Sequence, residues 1–449
     1  MNMNPRGKTL ALVGGYGSMG SWILEFLRKE DLLQSVSVLI TGPRPERGKR
    51  MADKYGCDFH ADNLKAAECD VIVLCTPLDI SPQVLEEMAA HVREGSVVID
   101  ICSVKTPICS TASRVLDPGV EYISAHPMFG PSVPNLEGQV VILVPVLKGD
   151  FLPCLEEFLE RHQARTLVTT CEEHDYALSV VQCLTHFAYI SVGATLKEID
   201  FDIGRSRDYS SPVYELMVDM IGRILSGNPD MYAQIQISNP YSSDMEEVFI
   251  EKAKNLKEAV DSGDRTAFKE VMIEAAKHYD DLESAFSKST RAVSALYEEM
   301  LRLKDSVGRM ISVRNEATGA IHTGVLKSMT AEFLTIGDGK RSIRMKTANA
   351  SMLGREEGSR RRVEKFGTNQ RDGSYLLDED SEPEAISRML EKCQDELVSV
   401  EPIDVYTGQG IPEGEKSVTF RFTFFGDLDP EPAERRVRDL LESMGAHPR

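Results

Sequence analysis

A chain of 449 residues is too long for one hydrophobic core and implies roughly two to four domains. Its 42% hydrophobic and 27% charged residues are those of a folded globular chain and exclude a wholly disordered, collagen-like or membrane protein. With 51 basic against 71 acidic residues, the net charge of −20 repels phosphate backbones and anionic membranes, so neither nucleic acid nor membrane is an expected partner. The nine cysteines are scattered, mostly within apolar runs, and form no CxxC pair, which points to a reducing cytoplasm and not to a disulfide framework. The start, Met1 to Lys8, is polar, so no signal peptide is expected, and no apolar stretch reads as long enough to span a bilayer.

In chain order, Thr9–Val13 reads as a strand ending in Gly-Gly-Tyr-Gly-Ser-Met-Gly, and Ser21–Lys29 as a helix. Val36–Thr41 is a second strand, followed by a helix near Lys49–Tyr55; Val71–Thr76 is a third strand, closed by Pro77. A helix at Ser81–Val92, a strand at Ser96–Ile101, a helix at Thr106–Leu116 and a strand at Glu121–Ser124 follow. Val140–Val144, a helix at Asp150–His162 and Thr166–Thr169 complete the pattern. Short apolar strands alternating with helices predict a doubly wound, parallel α/β sheet over residues 1–170.

From 171 to 306 no good strand is visible, and apolar residues such as Ala177, Val180, Val181, Leu184 and Ala188 recur at helical spacing. This predicts an all-helical domain of about five or six helices that bury their apolar faces in a bundle or against a partner subunit. Residues 307–353 alternate in short runs separated by Thr318-Gly319 and Gly337-Asp338-Gly339, the signals of a small β-barrel. A polar, charge-mixed linker is expected over 354–382, and residues 383–449 read helix, strand, strand, helix. Within that last piece eight basic residues face fourteen acidic ones.

Three motifs carry chemistry. Gly15-x-Gly17-x-x-Gly20 lies between a strand and a helix, where a pyrophosphate finds a tight turn, a backbone without Cβ and a helix N-terminus. Tyr16, Ser18 and Met19 fill the turn, and Thr76 closes a neighbouring strand on the same edge. The second strand ends Thr41-Gly42-Pro43-Arg44 without a carboxylate, and Arg44, Arg47 and Lys49 follow. A neutral strand end beside cations suits a 2′-phosphate and favours NADP over NAD, unless the cations are only a solvated loop face. Ser103-Val104-Lys105 stands at the carboxyl end of the fourth strand, able to meet a hydroxyl and an anion, or to be a helix cap beside an exposed Lys. His126, in Ala-His-Pro-Met-Phe-Gly past the next strand, is a candidate general base, or a loop histidine that holds backbone. No HxxxH or paired Cys/His spacing argues for a metal.

These motifs, in this order and spacing, resemble the prephenate dehydrogenase family, in its archaeal-type branch. The likeness continues through Glu172-Glu173-His174-Asp175, Val180–His186, Arg223-Ile-Leu-Ser226 and Asn228-Pro229-Asp230-x-Tyr232. The resemblance implies oxidative decarboxylation of prephenate to 4-hydroxyphenylpyruvate with hydride transfer to NAD(P), and a homodimer formed through the helical domain. It implies His126 as proton acceptor, Ser103 as its hydroxyl-binding neighbour, and Arg223, His186 and Lys105 on the substrate. Gln182 and Cys183 stand where the family has Ser-His, which leaves arogenate as the alternative substrate. His186 is otherwise a packed helix histidine, and His174-Asp175 is read as an acidic first-turn cap. A different class, a nucleotide-sensing or RNA-associated regulator, would not need His126, Ser103 and Arg223 together. The segment 307–353 resembles an Sm- or SH3-like barrel. Residues 383–449 resemble the ferredoxin-fold anticodon-binding domain of the phenylalanyl-tRNA synthetase β chain, here acidic and so expected to be a structural or regulatory module.

Overall fold

The structure, a computed structural model, describes residues 8–339 and 341–449. The polar start expected at Met1 to Lys8 therefore lies outside the described residues except for Lys8. The chain divides into two compact units, one ending at Asp280 and the other beginning at Asp281.

The first unit opens with β1 (Lys8–Val13), α1 (Ser18–Lys29), β2 (Val36–Thr41), α2 (Pro45–Tyr55), β3 (Asp58–His60) and β4 (Val71–Leu74). It continues through α3 (Ser81–Ala89), β5 (Val97–Asp100), α4 (Thr106–Val115), β6 (Glu121–Pro127), β7 (Val140–Leu147), α5 (Leu152–Arg161) and β8 (Arg165–Val168). One sheet holds all eight strands in the order β3-β2-β1-β4-β5-β6-β7-β8. The order reverses between β1 and β4, which opens a crevice at the carboxyl ends of the strands. Alternate residues of each strand serve opposite faces. Ala11, Val13, Ile72 and Leu74 pack with Val84, Met88 and Ile108 of α3 and α4, whereas Leu12, Ile40 and Val73 pack with Leu24, Ala52 and Tyr55 of α1 and α2. Each large side chain buried this way contributes on the order of 1.5–3 kcal/mol.

The expected all-parallel sheet needs one correction. β7 runs antiparallel to β6, and β8 runs parallel to β7. The 128–139 connection contains no helix, and an antiparallel return needs no crossover. A further strand, β3, was not visible in the sequence, because its three residues are too few to show alternation.

The helical part begins with α6 (Cys171–Leu178), a π turn (Ser179–Leu184) and α7 (Thr185–Glu198), which form one unbroken 28-residue helix. By length and composition this helix could cross a membrane, which corrects the expectation that no such stretch exists. Its first turns, however, bury His174, Asp175 and Leu178 in the first unit. Then come α8 (Ile203–Ser206), α9 (Pro212–Leu225), α10 (Pro229–Ser238), α11 (Ser242–Ser262) and α12 (Arg265–Lys277). With the long helix counted once, that is six helices among the described residues, in line with the expected five or six; Gly204 lies within the short α8, and the break at Gly227 separates α9 from α10.

The second unit starts with α13 (Leu282–Asp305), so this helix does not belong with 171–280 as the expected 171–306 domain had it. Leu303 of α13 packs with Val313, Leu326, Leu334 and Ile336, and Glu299 accepts the Met352 N–H at 3.2 Å. The strands β9 (Met310–Asn315), β10 (Ile321–Met329), β11 (Phe333–Gly337), β12 (Ser342–Lys346) and β13 (Ala350–Met352) form an antiparallel sheet ordered β12-β11-β10-β9-β13. A bulge between Leu326 and Ser328 bends it.

The expected linker 354–382 is not one. It forms α14 (Arg355–Phe366) and β14 (Thr368–Asp378). With α15 (Pro383–Cys393), β15 (Leu397–Tyr406), β16 (Glu415–Phe425), α16 (Pro430–Ser443) and β17 (His447–Pro448), β14 completes a sheet ordered β15-β16-β14-β17. Its polar sequence hid it: only one face of β14 is covered, where Tyr375 and Leu377 join Phe420, Phe422 and Phe424 of β16.

Arg362 of α14 makes a bidentate pair with Asp427 at 2.8 Å and stacks 4.0 Å over Phe425. Both partners of the pair are largely buried. Arg362→Ala should therefore cost the second unit about 1–3 kcal/mol in denaturant unfolding of the full chain. An unchanged unfolding midpoint would show α14 to be a passive connector.

Candidate active site

The glycine turn follows β1 and ends at Gly17, which caps α1. Each glycine has its own steric reason. A Cβ on Gly20 would fall 2.5 Å from the Gly15 Cα, and one on Gly15 would fall 2.8 Å from the Leu12 Cβ. These two let α1 lie close on the strand. A Cβ on Gly17 would meet only the main-chain oxygens of Gly14 at 3.2 Å and Cys75 at 3.8 Å, so its bareness serves the open crevice side. Thr76 packs beneath the turn, its hydroxyl 2.7 Å from that of Ser81. Ser18 starts α1, and Met19 follows, half-buried.

At the end of β2, Thr41 is fully buried and its hydroxyl oxygen has no hydrogen-bond partner. The Tyr16 ring lies against Gly42, where a Cβ would meet its hydroxyl at 2.5 Å, and the Arg47 guanidinium stands 5.8 Å from the ring centre. Arg44 is the exposed cap residue of α2. An orphaned hydroxyl, an aromatic face and two cations thus meet at the edge where a dinucleotide's adenosine ribose would lie. The residues fit a nicotinamide dinucleotide, with the glycine turn and the α1 N-terminus for its pyrophosphate.

Three strands along the same edge stands His126. It lies inside β6, which extends through Pro127, and not in a loop beyond the strand; it pairs with Ile142 of β7. Only 3% of it is exposed. Its Nδ1 lies 2.9 Å from His174 Nε2, and His174 Nδ1 lies 2.8 Å from Asp175 Oδ1. Asp175 is anchored in turn. It accepts the backbone N–H of Lys105 at 2.8 Å, that of Thr106 at 2.7 Å and the Thr106 hydroxyl at 2.6 Å. The Asn239 side chain donates to the Asp175 carbonyl at 2.8 Å.

The electrostatics follow from this packing. Burial, then the positive charge of Lys105 and the neighbouring His174, push the His126 pKa well below its ordinary value near 6.5. His174 is also lowered, by burial first, with Asp175 opposing. Burial alone would raise Asp175, but His174, Thr106 and the two backbone N–H groups together hold it below the usual carboxylate range. Both imidazoles are therefore neutral and the carboxylate ionised near neutral pH.

Lys105 is not on the substrate side. It is fully buried, and its ammonium donates to the carbonyls of Cys102 and Ala125, each at 2.7 Å, with Asp100 at 3.7 Å. Asp100 also accepts the Tyr122 hydroxyl at 2.7 Å. Lys105 therefore clamps β5 to β6 behind His126 and adds positive potential from within. Ser103 lies half-buried in the β5–α4 turn, and among the described residues no hydrogen bond joins it to His126.

His186 sits on α7, its ring edge-on to Tyr232 of α10 at 4.7 Å, and its buried Nδ1 has no partner. Gln182 and Gln236 nearby also carry buried, unpartnered Oε1 atoms, and the Gln236 amide is oriented by donating to the Cys183 carbonyl at 2.9 Å. Arg223 is on the exposed side of α9, opposite the buried Val218, Ile221 and Ile224. The structure thus joins His126 to His174 and Asp175, and among the described residues no hydrogen bond or ion pair links Ser103 or Arg223 to them.

The reading of His174-Asp175 as an acidic cap misses this role, since Thr170 already caps α6 and both side chains are buried. The available signal was an adjacent His-Asp pair at the head of a long helix that turns apolar after it.

Among known proteins, residues 29–168 match the family model for the prephenate dehydrogenase nucleotide-binding domain, and residues 170–274 that for the prephenate dehydrogenase dimerization domain. Residues 365–442 match the ferredoxin-fold anticodon binding domain. A relative from Methanocaldococcus jannaschii, named a probable arogenate/prephenate dehydrogenase, is 34% identical over 446 residues, covering 98% of either chain. A phenylalanine–tRNA ligase beta subunit from Syntrophotalea carbinolica is 34% identical over 92 residues, 19% of this chain and 11% of its own length. The crystal structure of a prephenate dehydrogenase from A. aeolicus with hydroxyphenyl propionate and NAD+ shares the fold at a TM-score of 0.50 and 21% identity, over 60% of this chain and 96% of its own.

Lys105→Met should destabilise the first unit by about 3–5 kcal/mol, because it leaves Asp100 buried without its cation. Thermal unfolding would measure this; a variant of unchanged stability with only a raised KM would return Lys105 to the substrate.

Proposed function

Because this chain belongs to the prephenate dehydrogenase family, we propose that it oxidatively decarboxylates prephenate to 4-hydroxyphenylpyruvate with NADP as the favoured hydride acceptor. The observation that carries the reading is a buried, neutral His126 at the carboxyl edge of the same sheet that bears the glycine turn.

His126 takes the proton of the C4 hydroxyl as general base. The bound nicotinamide supplies the hydride acceptor at C4. The ring carboxylate leaves as CO2, and its bonding electrons enter the ring and aromatise it. The C4 oxygen then regains the proton from His126, so the imidazole only borrows a proton and no net proton is released. Ser103, in the β5–α4 turn, hydrogen-bonds the same hydroxyl in this reading. His186 and Arg223 serve the substrate carboxylates, where a guanidinium suits a carboxylate better than an ammonium.

Arogenate is the second reading, favoured by one observation. The buried Oε1 atoms of Gln182 and Gln236 lack donors, and an ammonium would supply them where a keto group would not.

The functional assembly is a homodimer. The helix from Cys171 to Glu198 buries only 17% of its most apolar window within the chain, and Val181 and Val192 on it are exposed with Val213 and Leu225 of α9. A second copy covering these side chains would remove an apolar face from water.

Initial rates with prephenate and arogenate, each with NADP and NAD, test the reading; no reduced nicotinamide from any of the four mixtures would remove it. His126→Asn should lower kcat by ~10²–10⁴ while leaving cofactor affinity unchanged. Since the base must be deprotonated, the rate should stay flat through neutral pH and fall only as pH drops through the depressed His126 pKa, below the ordinary 6.5. An acid limb above that value would contradict the assignment. Replacing Arg44 and Arg47 together by Gln should weaken NADP binding roughly tenfold or more and leave NAD binding nearly unchanged, as read by nicotinamide fluorescence. An equal loss for both cofactors would show that these cations do not choose between them.

A further inference from the structure

We propose that Asp175, acting through His174, is a positioning residue that selects the reactive tautomer of His126. The inference rests on the reading of His126 as the base and adds the device that keeps it one.

The argument is one of donors and acceptors. An ionised carboxylate only accepts. Asp175 Oδ1 lies 2.8 Å from His174 Nδ1, so His174 carries its proton on Nδ1. A neutral His174 then has a bare Nε2. That atom lies 2.9 Å from His126 Nδ1, which must therefore be the donor. A neutral His126 with its proton on Nδ1 presents a lone pair on Nε2, the form that takes a proton from a hydroxyl. The opposite tautomer would bring an N–H to the substrate and put two lone pairs face to face against His174.

The chain of donors begins in the fold itself. The Lys105 and Thr106 N–H groups open α4, and with the Thr106 hydroxyl they hold the carboxylate in place. Asp175 is fully buried, so its ionised form is maintained by these donors and not by water. The charged and titratable groups around the pair of imidazoles are Lys105 with Asp100 from the β5–α4 segment, Tyr122 on β6, and Asp175 on α6. Lys105 disfavours a second proton on either ring, which protects the neutral relay. When His126 accepts the substrate proton, the positive charge faces His174 Nε2, and through that ring the Asp175 carboxylate.

Three measurements on the full chain test this. With histidines labelled by 15N, His126 should show a protonated Nδ1 and a bare Nε2, its signals identified by their absence in His126→Asn. Asp175→Asn should shift His126 toward the other tautomer and lower kcat by ~10²–10⁴, with cofactor affinity retained as the check of folding. His174→Gln keeps the order of an acceptor toward His126 and a donor toward Asp175, so it should retain far more activity than His174→Leu. A protonated Nε2 on His126 in the parent chain would overturn the proposal, as would Asp175→Asn turning over within twofold of it, or equal losses in the two His174 variants. The nitrogen spectra need no turnover. A chain that oxidises neither substrate but shows the assigned tautomer would remove the proposed activity and leave the relay standing.

Discussion

The hold of Asp175 on the first turn of α4 is the constraint on which the site depends. Its carboxylate comes from the helical part of the first unit, and the N–H groups it accepts come from the nucleotide-binding part. A helix N-terminus offers unpaired donors and a favourable potential for an anion, and here the anion is a side chain of the chain itself. The same contact fixes where α6 enters, where His174 stands and how His126 is approached from behind. Packing of apolar surface alone would let two such parts slide; two backbone donors and one hydroxyl on a single carboxylate do not.

Around this contact the sheet edge divides its tasks. In the proposed reading, the β1 end with its bare glycines receives the pyrophosphate, the β2 end with the orphaned Thr41 hydroxyl receives the ribose, and the buried His126 at the β6 end is the base. Lys105 serves all of this from behind by tying β5 to β6, so a residue of catalytic appearance does its work as a fastener.

The sheet and its glycine turn were legible because alternation, strand length and the position of Gly15, Gly17 and Gly20 are local signals. His126 was legible as a residue but not in its setting, since the extension of β6 through Pro127 depends on pairing with β7. The burial of Lys105 and the coupling of His126 to His174 were not legible, because they come from contacts 20 and 48 positions apart along the chain. The strand β14 was missed for a related reason: Asn369, Arg371 and Ser374 look like linker, and only β16 beside them makes them a strand. Polar edges and long-range ion pairs are settled by tertiary structure, and a single sequence carries little trace of them.

The π turn at Ser179–Leu184 separates the helix bearing His174 and Asp175 from the helix bearing His186. A wider turn takes one more residue per revolution and changes the rotational phase of everything after it. Thus the two halves of this long helix keep different counts, and the direction in which His186 points is set by that single slackened coil. Shortening the segment by one position would leave the anchored histidine pair where it is while swinging its distant companion about a quarter revolution around the rod. The spacing between the two is therefore a matter of angle as much as of length.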